Sequence, residues 1–299
     1  MLSILIPIYN FNVAPLVRKL HSMATAEQIS FEIICIDDAS TQTQPENASI
    51  SNLANVQYHC LGSNIGRSAL RNLLAEKAQH PYLLFIDTDM EVLKSDFIHQ
   101  YIQHLANYDL IYGGILYEPL LRNKSYVLRW KYGIEREAIN HRQRSEEPYF
   151  SVKTCNLLIK REVFNTIKFN EKIREYGHED TLFSLEIERK KLKVLHLQNP
   201  LCHSGLEDAA CYLRKVKVAC KSLHFISEHY LNEEEKNQIR LLYFYNRLRK
   251  MGLLWFVRTT YMLFEKKILA NLHSSNPNLK LLDMYKLISY DGAVNAANY

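Results

Sequence analysis

The stretch Tyr82-Leu-Leu-Phe-Ile-Asp-Thr-Asp-Met90 constrains the fold most tightly, because an apolar run behind a proline ends abruptly in two carboxylates one residue apart. A short run that is apolar at every position marks a strand covered on both faces, as in parallel sheets under helices. Asp87 and Asp89 then fall at the carboxyl edge of such a strand, where open α/β sheets bind ligands. Two uses of the pair are open at this point. One is a turn or helix cap, which aspartate favours. The other is a divalent-cation site between these carboxylates and a diphosphate.

The same rhythm precedes this stretch. Leu2 to Ile8 reads as a strand closed by Pro-Ile-Tyr-Asn, and Ala14 to Gln28 as a helix with Leu16, Val17 and Leu20 on one face. Phe31 to Ile36 is a second apolar run that stops in Asp37-Asp38. Gln42 to Asn55 is polar with a proline and reads as a loop with room for one short helix, and Val56 to Cys60 as a strand. From Arg67 onward, Leu70, Leu73, Leu74 and Ala78 share a helical stripe, so Gly66 and Arg67 occupy a helix start that is receptive to an anion. Strand, helix, strand, helix, strand within ninety residues indicates a mostly parallel α/β sheet with flanking helices.

Beyond it, Phe97 to Tyr108 is expected as a helix and Leu110 to Tyr117 as a strand containing Gly113-Gly114. Arg122 to Tyr149 is too polar for core and reads as a mobile or helical insertion over the site. Lys153 to Arg161 leads as a strand into a helix from Glu162 to Ile167. Gly177-His-Glu-Asp180 opens a further helix, so Glu179 and Asp180 lie at its N-terminus, a placement the helix dipole favours. Val194 to Gln198 is a last short strand, and Cys-His203-Ser-Gly closes the α/β part. After Gly205 the chain turns to long helical segments. These organise it as an α/β domain over 1–205 and a helical region over 206–299.

Charge and cysteine use bound the function. A formal net charge of +5 without a dense Lys/Arg block suits phosphorylated ligands or an anionic membrane and falls short of a nucleic-acid signature. Six cysteines without a CxxC pair read as reduced thiols. The N-terminal run lacks a basic leader and is broken by Pro7 and Asn10, so neither a signal peptide nor a span is expected, and the cytoplasm is the expected location. Leu241 to Leu269 interleaves Tyr243, Phe244, Trp255, Phe256, Tyr261 and Phe264 with basic residues. It reads either as helices packed on the catalytic domain or as a basic amphipathic surface on the inner face of the cytoplasmic membrane.

Five pieces in order resemble family 2 glycosyltransferases of the GT-A fold: Ser3-Ile-Leu-Ile-Pro-Ile-Tyr-Asn10, Cys35-Ile-Asp-Asp-Ala-Ser40, Asn64-Ile-Gly-Arg-Ser-Ala-Leu-Arg-Asn72, Asp87-Thr-Asp89 and Gly177-His-Glu-Asp180. Asn156 to Phe164 and Pro200-Leu-Cys-His203 are similar to segments of bacterial members. The resemblance covers about the first two hundred residues. It implies a Rossmann-like GT-A sheet and transfer of one sugar from a nucleotide-sugar donor, a uridine diphosphate sugar, to a glycan or lipid-linked glycan acceptor in surface polysaccharide synthesis. It implies that Pro7 and Tyr9 line the base and that Asp38 accepts from the uracil N–H. Arg67 or Arg71 would face the diphosphate. Asp89 would ligate Mg²⁺ or Mn²⁺, with His203 completing the metal site and Asp87 binding ribose or a group around the metal. Asp180 would be the general base of an inverting reaction, and Glu179 would orient it or the acceptor.

The chain departs from the family pattern at two points. Ala39 stands where glycine is commoner, and Leu70 precedes Arg71 where a small residue is usual. Leu128-Arg-Trp130 lacks the glutamine of the processive polymerases' Gln-x-x-Arg-Trp, which favours transfer of a single sugar. A nucleotide-sugar-binding module without turnover is the alternative. A nicotinamide dehydrogenase is disfavoured because no GxGxxG follows the first strand.

Overall fold

The computed structural model describes residues 1–42, 44–121 and 123–297; Arg122, which opens the polar segment of the sequence, lies outside them. The first part of the chain alternates β1 (Leu2–Ile8), α1 (Ala14–Ala26), β2 (Phe31–Asp37), α2 (Pro45–Ala48), β3 (Val56–Cys60), α3 (Arg67–Lys77) and β4 (Tyr82–Ile86). The four strands run parallel in the order β3-β2-β1-β4. Every residue of β2 is buried, as is nearly every one of β1, because helices cover both faces of the sheet. Leu16, Val17, Leu20 and Ala24 turn α1 toward the core, while Leu70, Leu74 and Ala75 do so for α3.

The chain continues through β5 (Met90–Glu91), α4 (Phe97–Ile102), β6 (Leu110–Tyr112), β7 (Ile115–Leu116), α5 (Val127–Tyr132) and α6 (His141–Glu146). Then come β8 (Asn156–Lys160), α7 (Arg161–Ile167), α8 (Glu179–Arg189), β9 (Val194–His196) and β10 (Leu201–His203). β8 lies antiparallel between β4 and β6, and β9 extends the sheet parallel to β6, giving seven strands. β5, β10 and β7 form a small second sheet, in which His203 stands opposite Met90.

Three local expectations are corrected. The strand expected over Leu110 to Tyr117 is two strands in two sheets. At Gly113 a Cβ would stand 2.4 Å from both the Tyr101 hydroxyl and Asn156 Nδ2, and Gly114 has φ +92°, so the glycine pair redirects the chain. The helix expected to Tyr108 stops at Ile102. Arg144, read as part of a polar segment, is buried. Its Nη2 donates to the carbonyls of Leu197 (2.8 Å) and Gly113 (3.3 Å), and its guanidinium lies 4.7 Å over the Tyr112 ring. Burial lowers its pKa.

Contacts divide the chain into two units, 1–118 with 137–174 and 179–205, and 119–136 with 175–178 and 206–299. The second unit carries α9 (Ala209–His229), α10 (Glu233–Gln238), α11 (Arg240–Lys250), α12 (Leu254–Leu272) and α13 (Leu279–Ala297). Its core includes Leu213, Val216, Leu223, Leu242, Ile268, Leu272 and Leu282, with Leu128 from α5.

Ala39 sits at φ +57°, in the left-handed region that is costly for any residue with a Cβ, which explains why glycine is commoner there. The turn it forms is fixed: Ser40 N donates to Asp37 Oδ1 (2.7 Å), and Asn10 N donates to Ser40 Oγ (2.7 Å). Ala39→Gly is therefore predicted to raise the unfolding free energy by about 0.5–1 kcal/mol. Urea unfolding checks this, and a loss of stability would contradict the strain.

Candidate active site

The carboxyl ends of β1, β2 and β4 lie side by side, with Ile8 opposite Asp37 in register and Leu5 opposite Phe85. Tyr9, just beyond β1, is exposed, and Pro7 is half-buried. Asp38, just beyond β2, is only 3% exposed. Its two oxygens accept from the backbone N–H of Ile65 (2.7 Å) and Gly66 (3.0 Å), so this carboxylate holds the loop that starts α3. Gly66 caps that helix at φ +85° and ψ +160°, a conformation open to glycine.

The first turn of α3 separates the two arginines. Arg67 is 53% exposed, with Nη1 3.7 Å from Glu179 Oε1. Arg71, one turn on, is 2% exposed. Its Nη2 donates to Asp87 Oδ1 at 2.9 Å, and its Nη1 donates to Glu179 Oε1 at 3.2 Å and lies 3.8 Å from Asp180 Oδ1. The guanidinium stands 5.5 Å from the centre of the Phe169 ring. Burial opposes the charge on Arg71, but Asp87, Asp180 and Glu179 outweigh it and hold the guanidinium above its ordinary pKa. Arg71 is thus committed to protein carboxylates, whereas Arg67 reaches solvent.

One cation cannot serve three carboxylates equally. Burial alone would raise the pKa of Asp87 and Glu179, yet Arg71, followed by Arg67, holds both below the ordinary carboxylate range. Asp180 is different. Burial raises its pKa, and repulsion from Glu179 and Asp87 adds to that, while Arg71 and the hydroxyl of Thr154, which donates to Oδ1 at 2.7 Å, offset only part of it. The Asp180 side chain remains 31% exposed. A carboxylate that is accessible, oriented by a hydroxyl and raised in proton affinity can accept a proton.

Asp89 faces a second partner. Its Oδ2 is 3.3 Å from His203 Nε2, and the His203 ring stacks on Tyr117 with centroids 5.3 Å apart. The small sheet brings these together, since β10 pairs with β5 and the Asp89 carbonyl accepts from Ser204 N at 2.9 Å. Gly205 completes the corner, where a Cβ would stand 2.4 Å from the Asp89 Cβ and 2.9 Å from its Oδ2. Among the described residues, no group of three or more His, Cys, Asp and Glu could hold a metal ion. One carboxylate and one imidazole are donor types that a divalent cation accepts, and they are too few for a cage built wholly of protein.

The structure gathers Arg67, Arg71, Asp87, Glu179 and Asp180 into one cluster and Asp89 with His203 into an adjoining pair; His203 also lowers the pKa of Asp87. Thr154, Tyr117 and Gly205 were not found by sequence reasoning. Gly205, two residues past His203, carried a signal in its spacing. Thr154 and Tyr117 carried none, because their partners, Asp180 and His203, are distant in sequence.

The mostly parallel α/β sheet with flanking helices, carrying charged side chains at its carboxyl edge, has the GT-A fold. The chain belongs to glycosyl transferase family 2, whose model matches residues 3–168. An uncharacterized glycosyltransferase of Haemophilus influenzae is 25% identical over 255 residues, which span 82% of this chain and 93% of that protein. One of Rickettsia felis is 26% identical over 125 residues, 42% of this chain and 20% of that protein. Among solved structures, the mannosyltransferase PcManGT from Pyrobaculum calidifontis, in complex with GDP-Man and Mn²⁺, superposes with a TM-score of 0.60 at 12% identity. The match covers 97% of this chain and 86% of that one, and it shows a shared fold.

The shifts set signs for stability. Asp87 and Glu179, with depressed folded-state pKa values, stabilise the protein above their unfolded pKa, and that contribution is lost as pH falls below about 4. Asp180 is shifted upward, so its ionised form is disfavoured in the fold. At neutral pH Asp87→Asn is predicted to lose about 1.5–3 kcal/mol, the worth of a charged hydrogen bond, while Asp180→Asn is at least as stable as the native chain. Urea unfolding of both variants decides this, and equal losses would contradict the division of roles.

Proposed function

We propose that the chain is an inverting, metal-dependent glycosyltransferase that moves one sugar from a nucleotide-sugar donor to a glycan or lipid-linked glycan acceptor. The observation that carries this reading is the uneven sharing of Arg71, which leaves Asp180 as the cleft carboxylate with raised proton affinity. Asp180 accepts the proton of the acceptor hydroxyl as that oxygen attacks the anomeric carbon opposite the leaving group. The new C–O bond forms as the bond to the diphosphate breaks, and the nucleoside diphosphate leaves with the bonding electrons. Glu179, held by Arg71, keeps the helix start in place and stays ionised.

Tyr9 offers an exposed ring on which the nucleotide base stacks beside Pro7. Asp38 holds the loop at Gly66 through one bond to each oxygen, and its remaining acceptor capacity serves the uracil N–H. Arg67, exposed at the start of α3, faces the diphosphate in place of Arg71. Asp89 and His203 hold Mg²⁺ or Mn²⁺. Such an ion, when bound, neutralises charge on the departing diphosphate. Asp87 orders Arg71 and contacts ribose or groups around the metal. In this reading residues 1–205 form the catalytic domain, and the protein works in the cytoplasm, in surface polysaccharide synthesis.

The purified protein, incubated with Mn²⁺ and a panel of nucleotide sugars, is expected to release nucleoside diphosphate. Asp180→Asn should lower turnover by about 10²–10⁴-fold, and Asp89→Ala should abolish it. Arg67→Ala should weaken donor binding by about ten- to a hundredfold, the worth of a charged hydrogen bond to phosphate. Turnover should fall as pH drops through the titration of Asp180, because the protonated carboxyl accepts no proton. Full activity in Asp89→Ala and Asp180→Asn would overturn the roles of metal ligand and base.

A further inference from the structure

Helix α12 is apolar on two opposite sides. Tyr261, Ile268 and Leu272, spaced i, i+7 and i+11, are buried in the core of the second unit. The outward stripe carries Trp255, Thr259, Met262 and Leu263, flanked by Phe256. Trp255, Phe256, Met262 and Leu263 are between 57% and 76% exposed. Across the preceding turn Met251 is exposed as well, and Tyr243 and Phe244 are exposed on α11. A single exposed leucine needs no explanation, but a run of large apolar side chains on one helix and the turn before it does.

Charge identifies the occupant. Residues 240–272 contain seven basic side chains and one acidic one, Glu265. Arg258 is spent internally, donating to both Asp291 oxygens at 2.7 Å. Arg240, Arg247, Arg249 and Lys250 remain on α11, and Lys266 and Lys267 follow Met262 and Leu263 by one turn on α12. Two of them border aromatic rings, with Arg240 5.8 Å from the centre of Phe244 and Lys267 5.9 Å from that of Phe264. Apolar anchors that include a tryptophan, on a helix pair with an excess of cations, suit the boundary between acyl chains and anionic headgroups. None of the helices among the described residues is long and apolar enough to cross a membrane.

We infer that the outward face of α12, with the α11–α12 turn, seats the protein on an anionic lipid bilayer, with Trp255, Phe256, Met262 and Leu263 inserted at the interface. The inference rests on the second unit alone and does not depend on the chemistry of the cleft.

Flotation of the full chain with phosphatidylcholine vesicles, with and without phosphatidylglycerol, tests it. Trp255 is one of two tryptophans, so Trp130→Phe makes its emission a reporter. Expected are flotation with anionic vesicles at low salt, a blue shift of Trp255 emission, and weaker binding at 1 M salt, where screening falls to about 3 Å. Replacing Trp255, Phe256, Met262 and Leu263 by serine should cut partitioning at least about tenfold, with an unchanged unfolding transition and unchanged turnover of a soluble donor. Equal flotation of the serine variant would overturn the inference, as would no flotation at low salt. A self-associated wild type that the substitutions convert to monomer, without vesicle binding, would overturn it by assigning the face to a second copy.

Discussion

The candidate active site depends on one buried cation. The Arg71 guanidinium, almost wholly removed from water, bonds Asp87 at the end of β4 and Glu179 at the start of α8, and lies near Asp180. Burying such a charge is costly unless charged partners offset the desolvation, and removing one partner exposes the cost. The arrangement therefore ties three elements at one point, with α3 supplying the cation and a strand end and a helix start supplying the anions. It also sets protonation, because two carboxylates with direct bonds to Arg71 stay ionised while the third, farther away and repelled by both, gains proton affinity. The same pairing that holds the fold together thus leaves one cleft carboxylate suited to proton transfer.

Much of this was legible in the sequence because it rests on local pattern. Largely apolar runs marked β1, β2 and β4, with Ser3 and Glu32 as buried polar exceptions, and the polar tips after them marked the edge that carries the candidate site. Helical spacing from Arg67 located α3. Two kinds of information were hidden. Backbone reorientation was one: Gly113 and Gly114 split an expected strand because Tyr101, Asn156 and Arg144 crowd the space beside them, and nothing local announces those neighbours. Partner identity was the other. Arg67 and Arg71 are one turn apart and chemically alike, and only the tertiary placement of Asp87 and Glu179 draws Arg71 into buried ion pairs while Arg67 stays 53% exposed. Arg144, by its charge a surface residue, is likewise buried because two carbonyls and the Tyr112 ring receive it.

The small second sheet shows how sequence-distant residues become a pair. Asp89 and His203 are more than a hundred positions apart, and β5 against β10 brings their side chains within 3.3 Å. Gly205 permits that approach by offering no Cβ against Asp89. In the helical unit the ambiguity was of another sort. An aromatic stripe usually means core, and for Tyr261 it does, but α12 carries a second apolar stripe that the fold leaves outside. A sequence window sums the two faces, and packing separates them.

Arg71 divides the neighbouring carboxylates into two that are held ionised and one that is raised, and the proposed role of Asp180 as base follows from that division. Carbon-13 NMR of the carboxyl groups, assigned through Asp87→Asn, Glu179→Gln and Asp180→Asn, follows each titration directly in the folded protein. The Asp180 midpoint is predicted to lie above the ordinary aspartate value of about 3.9, with Asp87 and Glu179 below their ordinary values. An Asp180 midpoint at or below that value, or Asp87 above it, would contradict the division.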